Sequence, residues 1–508
     1  MVKQIFITIF LAMSFTDFAM TSDTTENSHL PEYERGYACL KYGDYDLAVE
    51  AFEKVIQHAP DFAEAHSGLA YAYSQLGKYS EAVAEYERAR ILNPELTQVY
   101  IGLGYIAYRR GNLDLAIEHY NKAIELQPDL AEAHHNLGLI YAQQGKIAEA
   151  FEEQKRAVSA DPESAEAHFH LGLLYEKLER WNEAVEHHQQ ALKWNSVFAE
   201  PYYQLARIYM KRKEQELAQQ NMEHFRIRKA EADAIATAEE AVFMAEGTAK
   251  SDALLSLATV YLKQNKFQEA KVQFQRVLLR DEKRADAYAG LGHVALERNQ
   301  YHTAIQNYKR ALELGMNTAE AHHNLGIALM QESFFDQTFS KSLQMKKIDE
   351  AISHFHKAVA LDTTPLPPSP LPKGAGGCDK GDEKSAKSFL MLGTLYATQN
   401  QFELAKQNFL KVIELEPQDA IAYHSLAYLY GQHDTDLQIA VELAQKATQL
   451  APESALYFNT LSWLLYKQGK WREAETAIKK AIEIDPDNTL YQEGLSEIQK
   501  KVRSDDTD

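Results

Sequence analysis

Cysteine is almost absent from this chain of 508 residues, in which only Cys39 and Cys378 occur. They lie far apart, and neither has a second cysteine close by in the sequence. This usage excludes a disulfide framework and a thiolate zinc site. Proline, with 14 residues, and glycine, with 23, are also sparse, and they fall at regular places. Proline and glycine at such regular places are typical of helices separated by short turns.

Positive charge is also in deficit, because 53 Lys and Arg residues face 73 Asp and Glu residues, a formal net charge of −20. The basic residues do not gather in any one segment. A polyanion would be repelled before it could dock, so we expect no nucleic-acid partner. The apolar run from Ile5 to Met13 is too short to span a bilayer, and we expect no transmembrane span in the mature chain.

Catalytic motifs are missing as well. The chain contains no GxxxxGK[ST], GxGxxG, HExxH or GxSxG sequence, and no acidic pair stands in a distinctly apolar setting. Adjacent histidines such as His134 and His135 point about 100° apart on a helix and do not converge on one ion. We therefore expect no enzyme activity, no catalytic residue, no cofactor, no metal site and no small-molecule substrate.

What the sequence does contain is a period of about 34 residues. Residues 131–138 and 319–326 both read AEAHHNLG, and residues 165–172 read AEAHFHLG. A tyrosine follows three residues after the small residue, as at Tyr141 and Tyr175. These segments are copies of one helix.

A second helix follows each copy, with small residues on either side of an aromatic one, as in Ala116, Tyr120 and Ala123. Glycines such as Gly111 mark the turn between the two helices, where positive φ is needed. A proline such as Pro128 closes the copy, because proline begins a helix more readily than it extends one. Small residues let the paired helices approach closely, and stability comes from stacking one pair on the next.

This pattern of Leu-Gly, Tyr, Ala, aromatic, Ala and Pro resembles the tetratricopeptide repeat (TPR) family. The resemblance covers roughly nine tenths of the chain and implies an all-α fold. That fold is a right-handed α-solenoid of about twelve helix-turn-helix repeats in two arrays.

The register divides the chain as follows. Residues 1–22 are predicted to be a signal peptide or hydrophobic leader, and residues 29–226 to be array one, with about six repeats. A helical spacer, 227–250, leads to array two, whose first part is 251–363, with an insertion near 333–345. A Pro/Gly-rich loop, 364–385, precedes the second part, 386–488, and 489–502 form a C-terminal capping helix.

The resemblance also implies that the first helices of successive copies line a concave surface. Tyrosine and arginine suit such a surface because they give contact area and hydrogen bonds at low ordering cost. The alternative is that the tyrosines fill gaps between copies. The residues expected to bind a partner in this groove are Tyr71, Tyr105, Tyr108, Arg109, His135, Asn136, Phe169, His170, Tyr203, Gln204 and Arg207.

Function and location follow as expectations from these features. We expect a scaffold or assembly factor that binds other proteins or extended peptides. The alternative is a non-catalytic regulatory or substrate-presenting subunit of an enzyme complex. A basic lead of Met1, Val2 and Lys3 before the apolar run resembles a secretory signal, which predicts an exported, periplasmic or envelope-associated protein, with a cytoplasmic one as the alternative.

Overall fold

The computed structural model describes residues 30–336, 339–362 and 380–505, and every regular element in these ranges is an α-helix. The predicted leader, 1–22, lies outside the described residues, as does most of the predicted Pro/Gly-rich loop, 364–385. The chain forms two compact units, which divide between Asp281 and Glu282.

The first unit contains fourteen helices in its described part. Their bounds are α1 Leu30–Tyr42, α2 Tyr45–His58, α3 Ala63–Gln75, α4 Tyr79–Leu92, α5 Thr97–Arg109, α6 Leu113–Leu126, α7 Ala131–Gln143, α8 Ile147–Ala160, α9 Ala165–Lys177, α10 Trp181–Trp194, α11 Ala199–Lys211, α12 Gln215–Met244, α13 Gly247–Lys263 and α14 Phe267–Arg280.

The second unit contains the remaining helices. Their bounds are α15 Ala285–Glu297, α16 Tyr301–Glu313, α17 Ala319–Phe335, α18 Lys341–Asp362, α19 Lys380–Thr398, α20 Phe402–Leu415, α21 Ala420–Gln432, α22 Leu437–Leu450, α23 Ala455–Lys467, α24 Trp471–Ile484 and α25 Thr489–Asp505. None of the described helices in either unit is long and apolar enough to cross a membrane.

Each odd-numbered helix from α1 to α23 packs most closely against the even-numbered helix that follows it. We call these the first and second helix of a hairpin. Successive hairpins stack on one another in chain order within each unit. The all-α solenoid of paired helices predicted from the sequence period is therefore confirmed.

The turn inside a hairpin is set by a residue with positive φ. Gly111, between α5 and α6, has φ +77°, and the amide of Asn112 donates to the carbonyl of Ala107 at 2.9 Å. This bond closes α5 in the manner of a Schellman turn. Later turns use Asn299 and Asn400, each with φ 57°, because asparagine tolerates this conformation better than most residues.

Small side chains hold the paired helices close together. Ala116 and Ala123 of α6 are completely buried, and the ring of Tyr120 is buried between them. Leu103 of α5 lies in the same core. Small residues at these points allow the helix axes to approach, and the large ones fill the remaining space.

Several helices are longer than the usual 13 or 14 residues. α12 is a single helix of 30 residues that covers most of the segment predicted as a spacer. α17 continues to Phe335 and α18 begins at Lys341, so much of the predicted insertion near 333–345 is helical. α19 begins at Lys380, before the predicted copy start at Ala386.

First helices of neighbouring hairpins also contact one another directly, as α3 does with α1 and with α5 in the first unit. This close approach puts the first helices on the inner side of each curved stack. We call the side of the first unit formed by α3, α5, α7, α9 and α11 its inner face. The first unit also returns to its own start, because α14 contacts α1.

Candidate partner-binding groove

Side chains of the second helices pass between the first helices toward the inner face, and glycines make room for them. A Cβ on Gly102 would lie 2.2 Å from Cζ of Tyr86, and one on Gly138 would lie 2.6 Å from Nε2 of Gln154. Such distances are far inside van der Waals contact, so a larger residue at either position would force the neighbouring side chain or helix to move.

In the hairpins α7–α8 and α9–α10, a polar group occupies the place of the usual aromatic ring. Gln154 of α8 donates from Nε2 to the carbonyl of His135 at 3.0 Å, and its Oε1 lies 3.1 Å from Nδ1 of the same histidine. His188 of α10 lies next to Gly172, and its Nε2 is 2.9 Å from Oε1 of Glu176. The floor of the inner face is thus polar although it is buried.

Two histidines on the inner face are held neutral. Burial lowers the pKa of His135 to about 4, and burial followed by the charge of His135 lowers the pKa of His170 to about 3. Their rings lie 5.2 Å apart in an edge-to-face arrangement. At neutral pH each ring therefore offers one donor and one acceptor and carries no charge.

Several buried polar atoms of the first unit have no hydrogen-bond partner among the described residues. They are the hydroxyls of Ser67 and Tyr120 and the Nδ1 atom of His188. Each of these residues is 3% exposed or less. Buried polar groups are normally paired, so these three atoms are exceptions within the packed part of the first unit.

The residues predicted to bind a partner do not all lie in the open part of this face. Tyr71 is only 1% exposed and Phe169 only 7%, and both belong to the packed core. A side chain so enclosed cannot offer much area to a partner. The other predicted residues are half-buried or exposed: Tyr105, Tyr108, Arg109, His135, Asn136, His170, Tyr203, Gln204 and Arg207.

Two tyrosine and arginine pairs stand out among these residues. Arg109 donates to the Tyr105 hydroxyl at 3.3 Å, and its guanidinium lies 5.8 Å from the Tyr105 ring centre. Arg207 lies 5.9 Å from the ring centre of Tyr203, which is 39% exposed. Both pairs are four residues apart on a first helix, which orients the ring and the charge together.

Models of the tetratricopeptide repeat match residues 40–106, 167–194, 252–281, 386–419 and 455–488. A further TPR repeat model matches residues 104–145, 138–179 and 293–332. These matches together cover more than half of the chain. The chain belongs to the tetratricopeptide repeat family.

Individual relatives match parts of this TPR chain. A stretch of 126 residues is 28% identical to the small glutamine-rich tetratricopeptide repeat-containing protein 2 of Mycosarcoma maydis, covering 24% of the chain and 35% of the relative. Another of 115 residues is 29% identical to the type IV pilus assembly protein PilF of Pseudomonas aeruginosa, covering 23% of the chain and 44% of PilF. The chain thus spans less than half the length of these relatives.

Among solved structures, PilW, a type IV pilus biogenesis factor, is similar at 18% identity. The similarity covers 50% of this TPR chain and all of PilW, with a TM-score of 0.38.

The histidine at the fourth position of a TPR first helix hydrogen-bonds to the segment that follows the previous hairpin. Nε2 of His134 is 2.8 Å from the carbonyl oxygen of Pro128, and its Nδ1 is 2.6 Å from a carboxyl oxygen of Glu153. The hydrogen bond to Glu153 raises the pKa of His134. His66 repeats the arrangement two repeats earlier, with Pro60 and Glu85. Among the residues that the structure describes, no group of three or more His, Cys, Asp or Glu could hold a metal ion.

The second unit of this TPR protein has a smaller aromatic patch on its first helices. The ring of Tyr428, which is 45% exposed, lies 5.6 Å from that of Trp463, and Lys467 lies 4.7 Å from the Trp463 ring centre. Lys467 also donates to the carbonyl of Gly431 at 2.7 Å and pairs with Asp434 at 2.6 Å. This lysine is therefore committed to internal contacts.

The polar floor of the first unit was not predicted from the sequence. No hydrogen-bonding role was predicted for Gln154, His188 or Glu176, because the positions of Gln154 and His188 on second helices usually hold packing residues. A signal did exist: Gln154 and His188 stand where Tyr86 and Tyr120 stand in earlier repeats. A polar replacement at an aromatic packing position indicates a hydrogen-bond role.

Proposed function

We propose that this protein is a scaffold, and that its first unit binds an extended segment of a partner protein along the inner face. The observation that carries the proposal is the set of half-buried polar side chains Asn136, His170 and Gln204, which lie at equivalent places on three consecutive first helices. An extended chain carries an N–H and a C=O on every residue other than proline, and these groups need partners when they leave water.

Anchors for such a segment lie on either side of the floor. The pair of Tyr105 and Arg109 on α5 and the pair of Tyr203 and Arg207 on α11 offer aromatic area and guanidinium donors. Aromatic and arginine side chains carry much of the binding energy in protein interfaces. We retain Asn136, His170 and Gln204 in the proposed surface because they occupy equivalent, half-buried places on three consecutive hairpins.

The wider role is proposed to be that of an assembly factor in the cell envelope. PilF, which resembles part of this chain, is named as a pilus assembly protein. The basic and apolar lead of the sequence is typical of an export signal. N-terminal sequencing of the protein from its native source tests the location, and an intact Met1 would contradict cleavage of the leader.

The alternative of a regulatory or substrate-presenting subunit makes a different prediction for the native complex. Envelope components should co-purify with an assembly factor, whereas a catalytic subunit should co-purify with a regulatory one. Quantitative mass spectrometry of the affinity-purified protein separates the two outcomes.

Two double variants test the binding face itself. Tyr105→Ala with Tyr108→Ala, and separately Tyr203→Ala with Arg207→Ala, should each release partners that co-purify with the wild type. Leu115→Ala is a matched control, because Leu115 is 39% exposed on the second helix α6. Retention of every partner by both folded double variants would place binding elsewhere.

A further inference from the structure

The hairpin of α17 and α18 is longer at its turn than a regular hairpin of this chain. α17 has 17 residues, whereas the first helix before it, α15, has 13, so α17 ends about one turn later. Phe355 of α18 packs against Gly326, and His188 of α10 makes the same contact with Gly172. Phe355 is the fifteenth residue of α18, whereas His188 is the eighth of α10, so α18 has seven additional residues at its start. Seven helical residues extend this end of the hairpin by about 10 Å.

An ion pair holds the two extended helix ends side by side. Glu332 of α17 is 5% exposed and accepts a hydrogen bond from Nζ of Lys347 in α18 at 2.5 Å. Nδ1 of His302 lies 3.1 Å from the other carboxyl oxygen of Glu332. Because α17 and α18 run in opposite directions, the residues that follow Glu332 lie level with those that precede Lys347. We call residues 332–335 and 339–347 together the hairpin tip.

Large apolar side chains are open to solvent at the hairpin tip. Phe335 is 68% exposed and Phe334 is 48% exposed. Leu343 and Met345, at the start of α18, are each 40% exposed. Single exposed apolar side chains are common on protein surfaces, but several at one projecting end of a hairpin indicate an interaction surface.

The charge of the hairpin tip is opposite in sign to that of the whole chain. Residues 337–348 contain three lysines and no Asp or Glu, although the chain carries a net charge of −20. Three lysines are too few to form a polybasic segment, but the absence of acidic residues makes the local charge positive. Lys347 is neutralised by Glu332, whereas Lys341 and Lys346 are exposed and form no ion pair with the described residues. The tip therefore offers two ammonium groups among exposed apolar side chains.

An anionic lipid surface fits both features. Phenylalanine, leucine and methionine side chains can enter the boundary between headgroups and acyl chains. Lysine keeps its ammonium group level with anionic headgroups while its stem lies along apolar surface. A nucleic acid would pair with the lysines but would leave the apolar side chains in water. A standard protein interface covers about 800 Å² of each partner, which is more than a narrow projecting tip supplies.

We propose that the hairpin tip inserts into the surface of an anionic lipid bilayer and docks the second unit there. Insertion is shallow and reversible, because a few apolar side chains and two ammonium groups give only marginal membrane affinity. The proposal is independent of the partner-binding groove, since it uses no residue of the inner face.

A fluorescent amino acid can report insertion of the tip in the full-length protein. An environment-sensitive derivative replaces Phe335 in one protein and, in the control, Leu410, which is 45% exposed on α20. The vesicles contain equal parts of phosphatidylglycerol and phosphatidylcholine, with brominated acyl chains as the quencher. Emission from position 335 should move to shorter wavelength and be quenched, and emission from position 410 should not change. Vesicles of phosphatidylcholine alone should quench position 335 far less.

This readout follows the tip alone, so attachment of vesicles through another segment of the chain does not imitate it. Lys341→Glu with Lys346→Glu should raise the lipid concentration for half-maximal quenching at position 335 roughly tenfold or more. Lys411→Glu with Lys480→Glu is the matched control, because it changes the net charge equally at exposed lysines outside the tip. It should shift the same concentration less than about threefold, since salt screens distant charges. Circular dichroism and melting temperature verify that all variants are folded.

Three results would overturn the proposal. The first is unchanged emission from position 335 in the presence of anionic vesicles, and the second is equal quenching by anionic and neutral vesicles. The third is an equal effect of the two double lysine variants. If vesicles leave position 335 unchanged and Phe334→Ser with Phe335→Ser releases a protein that co-purifies with wild type, the tip contacts a protein and the membrane proposal is wrong.

Discussion

Arg280 of α14 pairs with Asp44, which lies in the turn between α1 and α2, although 236 residues separate them. Nε of Arg280 donates to Oδ1 of Asp44 at 3.2 Å, and its Nη2 donates to Oδ2 of Asp46 at 2.8 Å. Asp44 is fully buried, and only 12% of the Arg280 side chain is exposed. The first unit is therefore joined to its own beginning by buried charges.

Two further cations complete this contact, which we call the clasp. Arg276 donates to the carbonyl of Gly43 at 3.0 Å, and Lys250 pairs with Asp46 at 3.1 Å. The clasp comprises Gly43, Asp44, Asp46, Lys250, Arg276 and Arg280. It restrains the hairpin of α1 and α2, the first among the residues that the structure describes.

Removing Arg280 from the clasp should loosen the first hairpin. Arg280→Met leaves the Asp44 carboxylate buried without its main partner, a loss of roughly 3–5 kcal/mol for a buried pair. Hydrogen exchange measured by mass spectrometry should show faster exchange in α1, α2 and α14. Asp44→Leu combined with Arg280→Met should recover part of the protection, because an apolar pair carries no uncompensated charge.

The exposed pair of Lys122 and Glu125, 2.8 Å apart, is the matched control for the clasp. Lys122→Gln should leave hydrogen exchange unchanged across the first unit. Unchanged exchange in α1 and α2 of Arg280→Met would contradict a restraining role for the clasp.

Gly102 should not tolerate alanine. The added Cβ would lie 2.2 Å from Cζ of Tyr86, so the ring or α5 must move, at a cost of roughly 1–3 kcal/mol. Gly494 of α25 is the control, since its nearest neighbour would lie 3.8 Å away and alanine favours helix. Urea unfolding should show Gly102→Ala less stable and Gly494→Ala equal to or more stable than wild type. If Gly102→Ala were the more stable of the two variants, the Tyr86 ring would not need the space left by Gly102.

The neutral His170 should make the protein sensitive to mild acid. Burial, followed by the charges of His135 and His188, lowers the pKa of His170 from 6.5 to about 3. Between these values the unfolded chain binds a proton that the folded chain does not, so stability falls as pH drops below about 6.5. Above that range His170 contributes no dependence on pH.

A variant isolates this contribution. His170→Asn introduces the residue found at the equivalent position 136. Its melting temperature should fall less than that of wild type when the pH is lowered from about 7.5 to about 5. Replacement of the exposed His58 by glutamine is the control and should leave the wild-type profile unchanged. Parallel profiles for His170→Asn and wild type would show that His170 is not held neutral.

The repeat period was sufficient to predict the helices. Helices α3, α7 and α9 begin at Ala63, Ala131 and Ala165, where the sequence copies begin. Prediction succeeds here because the relevant contacts are local: each hairpin packs against its neighbours in the chain, and the same residues recur at the same spacing.

The binding face was predicted less completely, because burial on it depends on neighbouring hairpins. Tyr71 was expected to face a partner, yet the ring of Tyr45 lies 6.2 Å away and Tyr71 is 1% exposed. Glu132 and Glu200 both follow an alanine at the start of a helix, but Glu132 is 8% exposed whereas Glu200 is exposed. The contact between Asp44 and Arg280 joins distant residues, and no periodic signal marks it.

Site-specific photo-crosslinking in the native source tests the central claim most directly. A photoreactive phenylalanine derivative is placed at Tyr203 on the inner face or at Ile91, which is 69% exposed on the second helix α4. The account predicts that the derivative at 203 crosslinks a partner, that mass spectrometry maps the crosslink to one continuous segment of it, and that the derivative at 91 does not. A crosslink to the same partner from position 91 and none from position 203 would contradict binding along the inner face.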